Sequence, residues 1–326
     1  MSISTRLTEK LQIKHPIMLA PMDLVADARL ACAVSGAGGF GMIGGGYGDE
    51  AWLTRQFDEA GDVRVGIGFI TWSLARNQRL LDLVLERRLP AVMLSFGEVA
   101  PFAPKIKQAG ALLVCQVQTL AQARDAAAQG ADILVAQGAE AGGHGVARGL
   151  FPLVPAVADA APGVIVVAAG GVADGRGLAA ALMLGAEGVL LGTRLYASRE
   201  AAAPAEAKER VARASGDRTI RGLIFDIARK NVWPRPFTGR VLSNRFSDQW
   251  AGREDELLSR QDEIAASYAE ARAKGDFDIA AVIAGEAVDL IHDIPPAAEI
   301  VERMADEAAE LLARAPLRYG LGASAK

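Results

Sequence analysis

The segment Gln137–Gly145 (QGAEAGGHG) sets His144, one of three histidines, in a Gly-rich stretch directly after an apolar run. An imidazole titrates close to neutral pH, so it can take or give a proton under ordinary conditions. A positioned base of this kind accelerates a reaction by about 10²–10⁴-fold. His144 is therefore the catalytic candidate. Gly142 and Gly143, just before it, join the candidates for contact with a cofactor. Glu140 could orient the imidazole or cap the following turn, and the sequence leaves both open. His15 precedes Pro16 and should be structural. His292 falls in an apolar, helix-like stretch and should be structural too.

A second chemistry is written in two Gly-bearing segments, AAGGVADGRG (168–177) and GTR (192–194). Glycines let backbone N–H groups approach an anion without a Cβ in the way. Thr193 adds a hydroxyl donor. A helix opening near Asp174–Gly175 would point its positive dipole end at the same place. Gly170, Gly171, Gly192 and Thr193 are the candidates for a phosphate cradle, with Ala169 before them as a further cofactor-contact candidate. Glycines that merely turn the chain are the blander account, but two clusters at the last two apolar runs argue against it.

Ala20-Pro21-Met22 ends the first apolar run and offers close backbone approach with a soft apolar contact, suited to a planar ring. Of Gln116 and Gln118 only one is expected to face inward; Gln116 is the candidate, its amide able to bond a ring carbonyl. Gly36–Gly41 formally matches G-x-G-x-x-G, but it follows a helix and opens a strand, the reverse of a dinucleotide-binding turn. Gly44–Gly46 could admit a flat ligand or simply turn the chain. No Ser–His–Asp order, paired carboxylates or metal-ligand spacing emerges, so no metal is expected.

What must position these groups is a rhythm of eight short apolar runs: 16–22, 39–45, 65–70, 91–96, 111–117, 133–138, 164–171 and 188–195. Continuous apolar runs of this length read as strands buried on both faces. Helix-like stretches fill the gaps at 28–35, 49–60, 73–88, 101–109, 119–129, 153–160 and 175–184, with Thr119 and Asp174 where N-caps belong. The pattern predicts an α/β (β/α)8 TIM barrel, in which functional groups gather at the C-terminal strand ends. The barrel is assigned to residues 1–213. After it the composition changes: Trp233-Pro234-Arg235-Pro236 interrupts, and charged helical spacing follows over 248–274, then a more apolar helix over 276–294. Residues 214–294 are read as a helical cap or substrate domain inserted near the C-terminus. Residues 295–326 are read as a helix returning to the barrel.

Bulk properties narrow the partners. The chain has 326 residues and a net charge of −4, with no long basic run, so neither nucleic acid nor an anionic membrane is expected as a partner. The longest apolar stretch, 177–192, contains Glu187 and is too short to span a bilayer. The amino-terminal residues lack the apolar core of a secretory signal. Cys32 and Cys115 sit among apolar residues and read as buried free thiols. A reducing, cytoplasmic setting is the expectation, and helical barrel surfaces are compatible with a homodimer.

PIMLAPM, AGGFGMIGGG, AQGAEAGGHG, AAGGVADGRG and LGTRLYAS, in this order, resemble the nitronate monooxygenase family, also called 2-nitropropane dioxygenases. The resemblance covers nearly the whole chain, including AGEAVDLIHDIPPAAEIVERM of the cap. It implies an FMN-containing barrel with the phosphate held after strands seven and eight. It implies a flavin ring over Ala20, Pro21 and Met22, and His144 as the base or substrate partner. The implied reaction oxidises a small nitronate or nitroalkane with O2 to a carbonyl compound and nitrite. Through GGFGMIGGG and EAGGH the chain also resembles flavin enoyl-acyl-carrier-protein reductases. The alternative is therefore an FMN- and NAD(P)H-dependent reductase of enoyl thioesters or quinones.

Overall fold

All eight apolar runs are strands in the computed structural model, which describes residues 3–320. They are β1 (Ile17–Leu19), β2 (Met42–Gly44), β3 (Gly66–Ile70), β4 (Ala91–Ser95), β5 (Leu112–Val117), β6 (Ile133–Gln137), β8 (Ile165–Ala169) and β9 (Val189–Leu191). Every neighbouring pair is parallel, in the order β1-β9-β8-β6-β5-β4-β3-β2. Phe40 closes the ring: its N–H donates to the Ile17 carbonyl and its carbonyl accepts from Leu19 N–H, both at 2.9 Å. The predicted (β/α)8 barrel is the observed architecture.

Alternation along each strand sorts the side chains into two cores. Met18, Met42, Met93, Val114, Ile133, Val135, Val167, Ala169 and Leu190 fill the interior with Phe40. The fully buried Leu7 and Leu11 of a short N-terminal helix (Arg6–Leu11) belong to this cluster. The intervening residues, such as Leu113, Cys115, Leu134, Ala136, Val166 and Ala168, face the outer helices. Inward glycines on β3 make room rather than bend the strand. A side chain at Gly66 would crowd the Phe40 ring, and one at Gly68 would collide with Pro21.

The helices follow their caps. Asp27, Asp49 and Asp174 each accept an N–H from the first turn, and Thr119 with Gln122 forms a capping box. The expected helix over 73–88 is two pieces, Thr71–Leu74 and Arg79–Glu86. A long helix, Ala297–Arg318, lies along the helix Gly175–Met183 and buries Ile300, Val301, Met304, Ala305 and Ala308.

The segment after the barrel differs from the helical reading in two places. It contains two strands, β10 (Thr219–Gly222) and β11 (Thr238–Leu242), which pair antiparallel. Residues 276–285 are not helical, and only a 3-10 turn, Glu286–Leu290, follows. The apolar residues there (Phe277, Ala280, Val282, Ala284) are buried individually against Leu242, Val211 and Tyr196 rather than along one helix face. Helices Arg245–Trp250, Glu254–Ser259 and Gln261–Lys274 enclose a separate core of Phe225, Phe246, Trp250, Leu257, Ile264 and Tyr268. No helix among the described residues is long and apolar enough to cross a membrane.

Candidate active site

The inward faces of the strands end, at the C-terminal mouth, in Ala20, Gln116, Gln137, Ala169 and Gly192. Gln137 organises this ring. Its carbonyl oxygen accepts from Gln116 Nε2 at 3.1 Å and from Gln118 Nε2 at 2.8 Å. Its amide nitrogen donates to the His144 carbonyl at 3.1 Å. Residues two apart on a strand share a face. Gln116 and Gln118 therefore both reach inward, which corrects the expectation that only one would.

The loop after β6 carries a strand of its own, β7 (Gly143–Gly145), which adds to the β10-β11 ribbon in the order β10-β11-β7. His144 pairs with Gly239, and Thr238 and Arg240 flank the pair. The histidine is thus mounted on a three-stranded sheet completed by the segment after the barrel, not on a free loop. Its Nε2 lies 2.8 Å from Asp226 Oδ2, with side chains only 9% and 5% exposed. The Trp233 indole stacks on its ring at 3.5 Å between centroids and 6° between planes. Burial is the main influence on the imidazole and pulls its pKa below the usual 6.5, opposed by Asp226 and reinforced by Arg229 and Arg221. The ring is therefore biased to its neutral form, the form that accepts a proton.

Two arginines hold this loop in place. Arg221 on β10 donates to the carbonyls of Ala139 and Ala141 at 3.0 Å, Thr238 at 2.6 Å and Gly143 at 3.4 Å. Desolvation, then the neighbouring Arg240, bring its guanidinium pKa down to about 10. Arg240 donates to Ala139 at 3.0 Å and pairs with Glu286 at 2.8 Å. A fork of fixed donors suits several carbonyls at once in a way a lysine cannot. Glu140 is resolved as a cap: its carboxylate accepts Leu150 N–H at 2.8 and 3.0 Å, opening the helix Leu150–Ala160.

Above the histidine stands an aromatic wall. Trp233 meets Trp72 edge-on at 5.3 Å and Phe96 at 5.1 Å, and Phe96 meets Phe237 at 5.3 Å. The Tyr47 hydroxyl, from the loop after β2, accepts from Trp233 Nε1 at 3.0 Å and Asn231 Nδ2 at 2.7 Å. Side chains at Gly44, Gly45 and Gly46 would strike Met22, Phe69 and Asp23, so these glycines serve the turn and leave no slot for a flat ligand.

The glycine clusters divide by what surrounds them. A Cβ on Gly142 would lie 2.6 Å from the Ala284 carbonyl carbon, and one on Gly170 would lie 2.9 Å from Ala141 N. Those two positions are occupied by other backbone. Gly171 and Gly192 have room: a Cβ would meet Glu140 at 3.5 Å and Ala20 at 3.7 Å respectively. Gly171 adopts φ +71°, a conformation that favours glycine. Thr193 Oγ1 accepts Gly285 N–H at 2.9 Å, leaving its own proton to donate. The first N–H groups of the turn Thr193–Tyr196 have no partner within that turn. The helix expected to aim its dipole here is closed instead. Gly175 N–H goes to Glu307 at 2.7 Å and Gly177 N–H to Asp174 at 3.1 Å.

The structure thus brings Ala20, Met22, Gly171, Gly192 and Thr193 to one corner. Gly170, packed on Ala141, joins that corner to the loop of Gly142, Gly143 and His144. Ala169 is buried beside them, and Gln116 sits across the mouth. Pro21 turns inward onto Gly68. His15 is buried, and His292 is exposed in a non-helical stretch rather than in a helix. No group of side chains among the described residues could hold a metal ion. Sequence reasoning missed Asp226, Trp233 and Arg221, which lie some 80 residues from the loop they serve. Only the interruption around Trp233-Pro234 marked that region as special.

Known proteins resemble this chain in sequence and in fold. The family described as nitronate monooxygenase matches residues 4–64 and 63–307. A nitronate monooxygenase of Neurospora crassa is 34% identical over 91% of this chain and 90% of its own length. FabK from Thermotoga maritima superposes with a TM-score of 0.86 at 31% identity, covering 98% of this chain and 100% of that one. Nitroalkane oxidase from Streptomyces ansochromogenes superposes at 0.81 with 27% identity, over 96% of this chain and 100% of that one.

Proposed function

We propose, from the premise that this chain belongs to the nitronate monooxygenase family, that it oxidises alkyl nitronates and nitroalkanes with O2 to carbonyl compounds and nitrite, using FMN. One observation carries the reading: a buried imidazole biased to neutrality stands at the mouth, joined by one loop to a glycine corner with hydrogen-bond donors suited to a phosphate. FMN, when bound, supplies the electron transfer that these side chains lack.

The residues fit that cofactor. Gly171, Gly192 and Thr193 would hold its phosphate, since no atom crowds the Cβ position of either glycine and the Thr193 hydroxyl keeps a free proton. Ala20 and Met22 beside Gly192 would support the ring system. Gln116 keeps a carbonyl oxygen and a second N–H for a ring edge. Neutral His144 would take the α-proton of a nitroalkane while the C–H electron pair moves toward the nitro group. Trp72, Phe96, Trp233 and Phe237 would exclude water and receive an alkyl chain. A reducing, cytoplasmic setting accords with two unpaired thiols.

The test begins with colour. Purified protein should be yellow and release FMN on denaturation; a colourless protein that refuses added FMN ends the proposal. A second reading, reduction of enoyl thioesters or quinones with NAD(P)H, draws on the GGFGMIGGG and EAGGH segments. Anaerobic mixing separates the two. Bleaching by a nitronate but not by NADH is expected, and rapid bleaching by NADH would favour the reductase.

A further inference from the structure

We propose that Asp226 is the positioning residue of the proton-transfer step, holding His144 in the Nε2–H tautomer so that Nδ1 is the atom that receives the substrate proton. The inference rests on His144 acting as the base in the reaction proposed above.

Both oxygens of Asp226 are assigned. Oδ2 faces His144 Nε2 at 2.8 Å, and Oδ1 accepts from Arg229 Nη2 at 2.7 Å. Arg229 is itself anchored through Nε to the Phe225 carbonyl at 3.0 Å. The carboxylate therefore cannot swing away without breaking the pair with Arg229. An ionised carboxylate only accepts hydrogen bonds, so the proton between the two groups belongs to Nε2. The stacked Trp233 indole fixes the ring plane. Gly239 closes the same edge: a Cβ there would lie 3.4 Å from Nε2 and 3.6 Å from Cε1. Nδ1 has no hydrogen-bond partner among the described residues. With the proton on Nε2, the imidazole lone pair stands at Nδ1.

The step balances within the protein and substrate. The α C–H bond breaks, an Nδ1–H bond forms, and the electron pair moves into the carbon–nitrogen bond as the nitro group becomes a nitronate. The imidazolium so formed keeps its Nε2–H on Asp226, which offsets the new positive charge. The other charged or titratable groups around the dyad are Arg221 from β10, Arg229, and Tyr268 and Arg272 from the helix 261–274. Asp23 and Tyr47 face Arg229 from the barrel side. Asp226 is the carboxylate in contact with the imidazole.

Nitrogen NMR of the FMN-loaded protein labelled in its histidines tests the idea without relying on turnover. Three histidines give three ring systems, and His144→Gln identifies the relevant one. Near pH 7.5, His144 should show a protonated Nε2 and a bare Nδ1. Asp226→Asn should lower the His144 pKa and abolish that single tautomer. It should also reduce turnover of neutral nitroalkanes by about 10²–10⁴-fold while changing oxidation of preformed nitronates by less than about tenfold. Asp226→Glu should restore part of the tautomer preference and of the nitroalkane rate. A protonated Nδ1 in the unsubstituted protein overturns the proposal, as does an Asp226→Asn variant with unaltered tautomer and pKa. A protein inactive on every nitro compound would defeat the proposed function, while the nitrogen spectrum would still decide the tautomer.

Discussion

Gly192→Ala isolates the proposed phosphate cradle from the packing around it. The added methyl would meet Ala20 Cβ at 3.7 Å and Met22 Sδ at 3.9 Å, which is ordinary contact. Gly192 has φ −100°, outside the left-handed region that favours glycine. Stability without FMN should therefore change by no more than about 0.5 kcal/mol. The methyl nevertheless occupies the space assigned to a phosphate oxygen. Loss of one charge-assisted hydrogen bond costs about 1.5–3 kcal/mol, which is about 10–10²-fold in the FMN dissociation constant. Gly142→Ala should behave in the opposite way. Its Cβ would press on Ala284 and Gly285 backbone at 2.6 and 2.7 Å. Relief would disturb the Gly285 N–H bond to Thr193 and the Glu286 N–H bond to the Glu140 carbonyl. Overpacking and two weakened bonds amount to about 2–4 kcal/mol, present with or without FMN. Thermal denaturation of the apoprotein and fluorescence titration with FMN separate the two effects. Undiminished FMN affinity in Gly192→Ala would remove the phosphate from this corner and refute the reasoning.

Other outcomes follow from the same geometry. Burial lowers the His144 pKa, so kcat/KM for a neutral nitroalkane should fall on an acid limb whose midpoint lies below pH 6.5; a midpoint above 6.5 would contradict the assignment. The same shift bears on stability. The unfolded histidine takes up its proton near 6.5, so this group's penalty is absent above that pH and grows as pH falls toward the lower folded value, readable by denaturant titration. Arg221→Lys should destabilise by about 2 kcal/mol and lower nitroalkane turnover, because one ammonium cannot reach four carbonyls; equal activity and melting temperature would show the fork dispensable. Burial pushes the Cys115 thiol up to about 12, so a thiol reagent at pH 8 should leave it unmodified until the protein is denatured.

The barrel was legible because its strands are buried on both faces and so read as unbroken apolar runs. β5 and β6 were found to within a residue or so. The glycine corner could be picked out because glycines recur at two strand ends, although glycine alone did not reveal that Gly142 and Gly170 are packed on other backbone while Gly171 and Gly192 are uncrowded. The 276–294 stretch misled because apolar spacing reports burial, not conformation: Phe277, Val282 and Ala284 are buried along a chain that is not helical. β7 is Gly-His-Gly, with no strand propensity of its own, and becomes a strand only by pairing with β11. Asp226 lies 82 residues from His144, and no local pattern links a lone carboxylate to an imidazole across that distance.

That pairing also bears on modularity. Because the strand bearing His144 is completed by Thr238–Arg240, a barrel transplanted without its appendage would keep the glycine corner yet leave the imidazole unmoored.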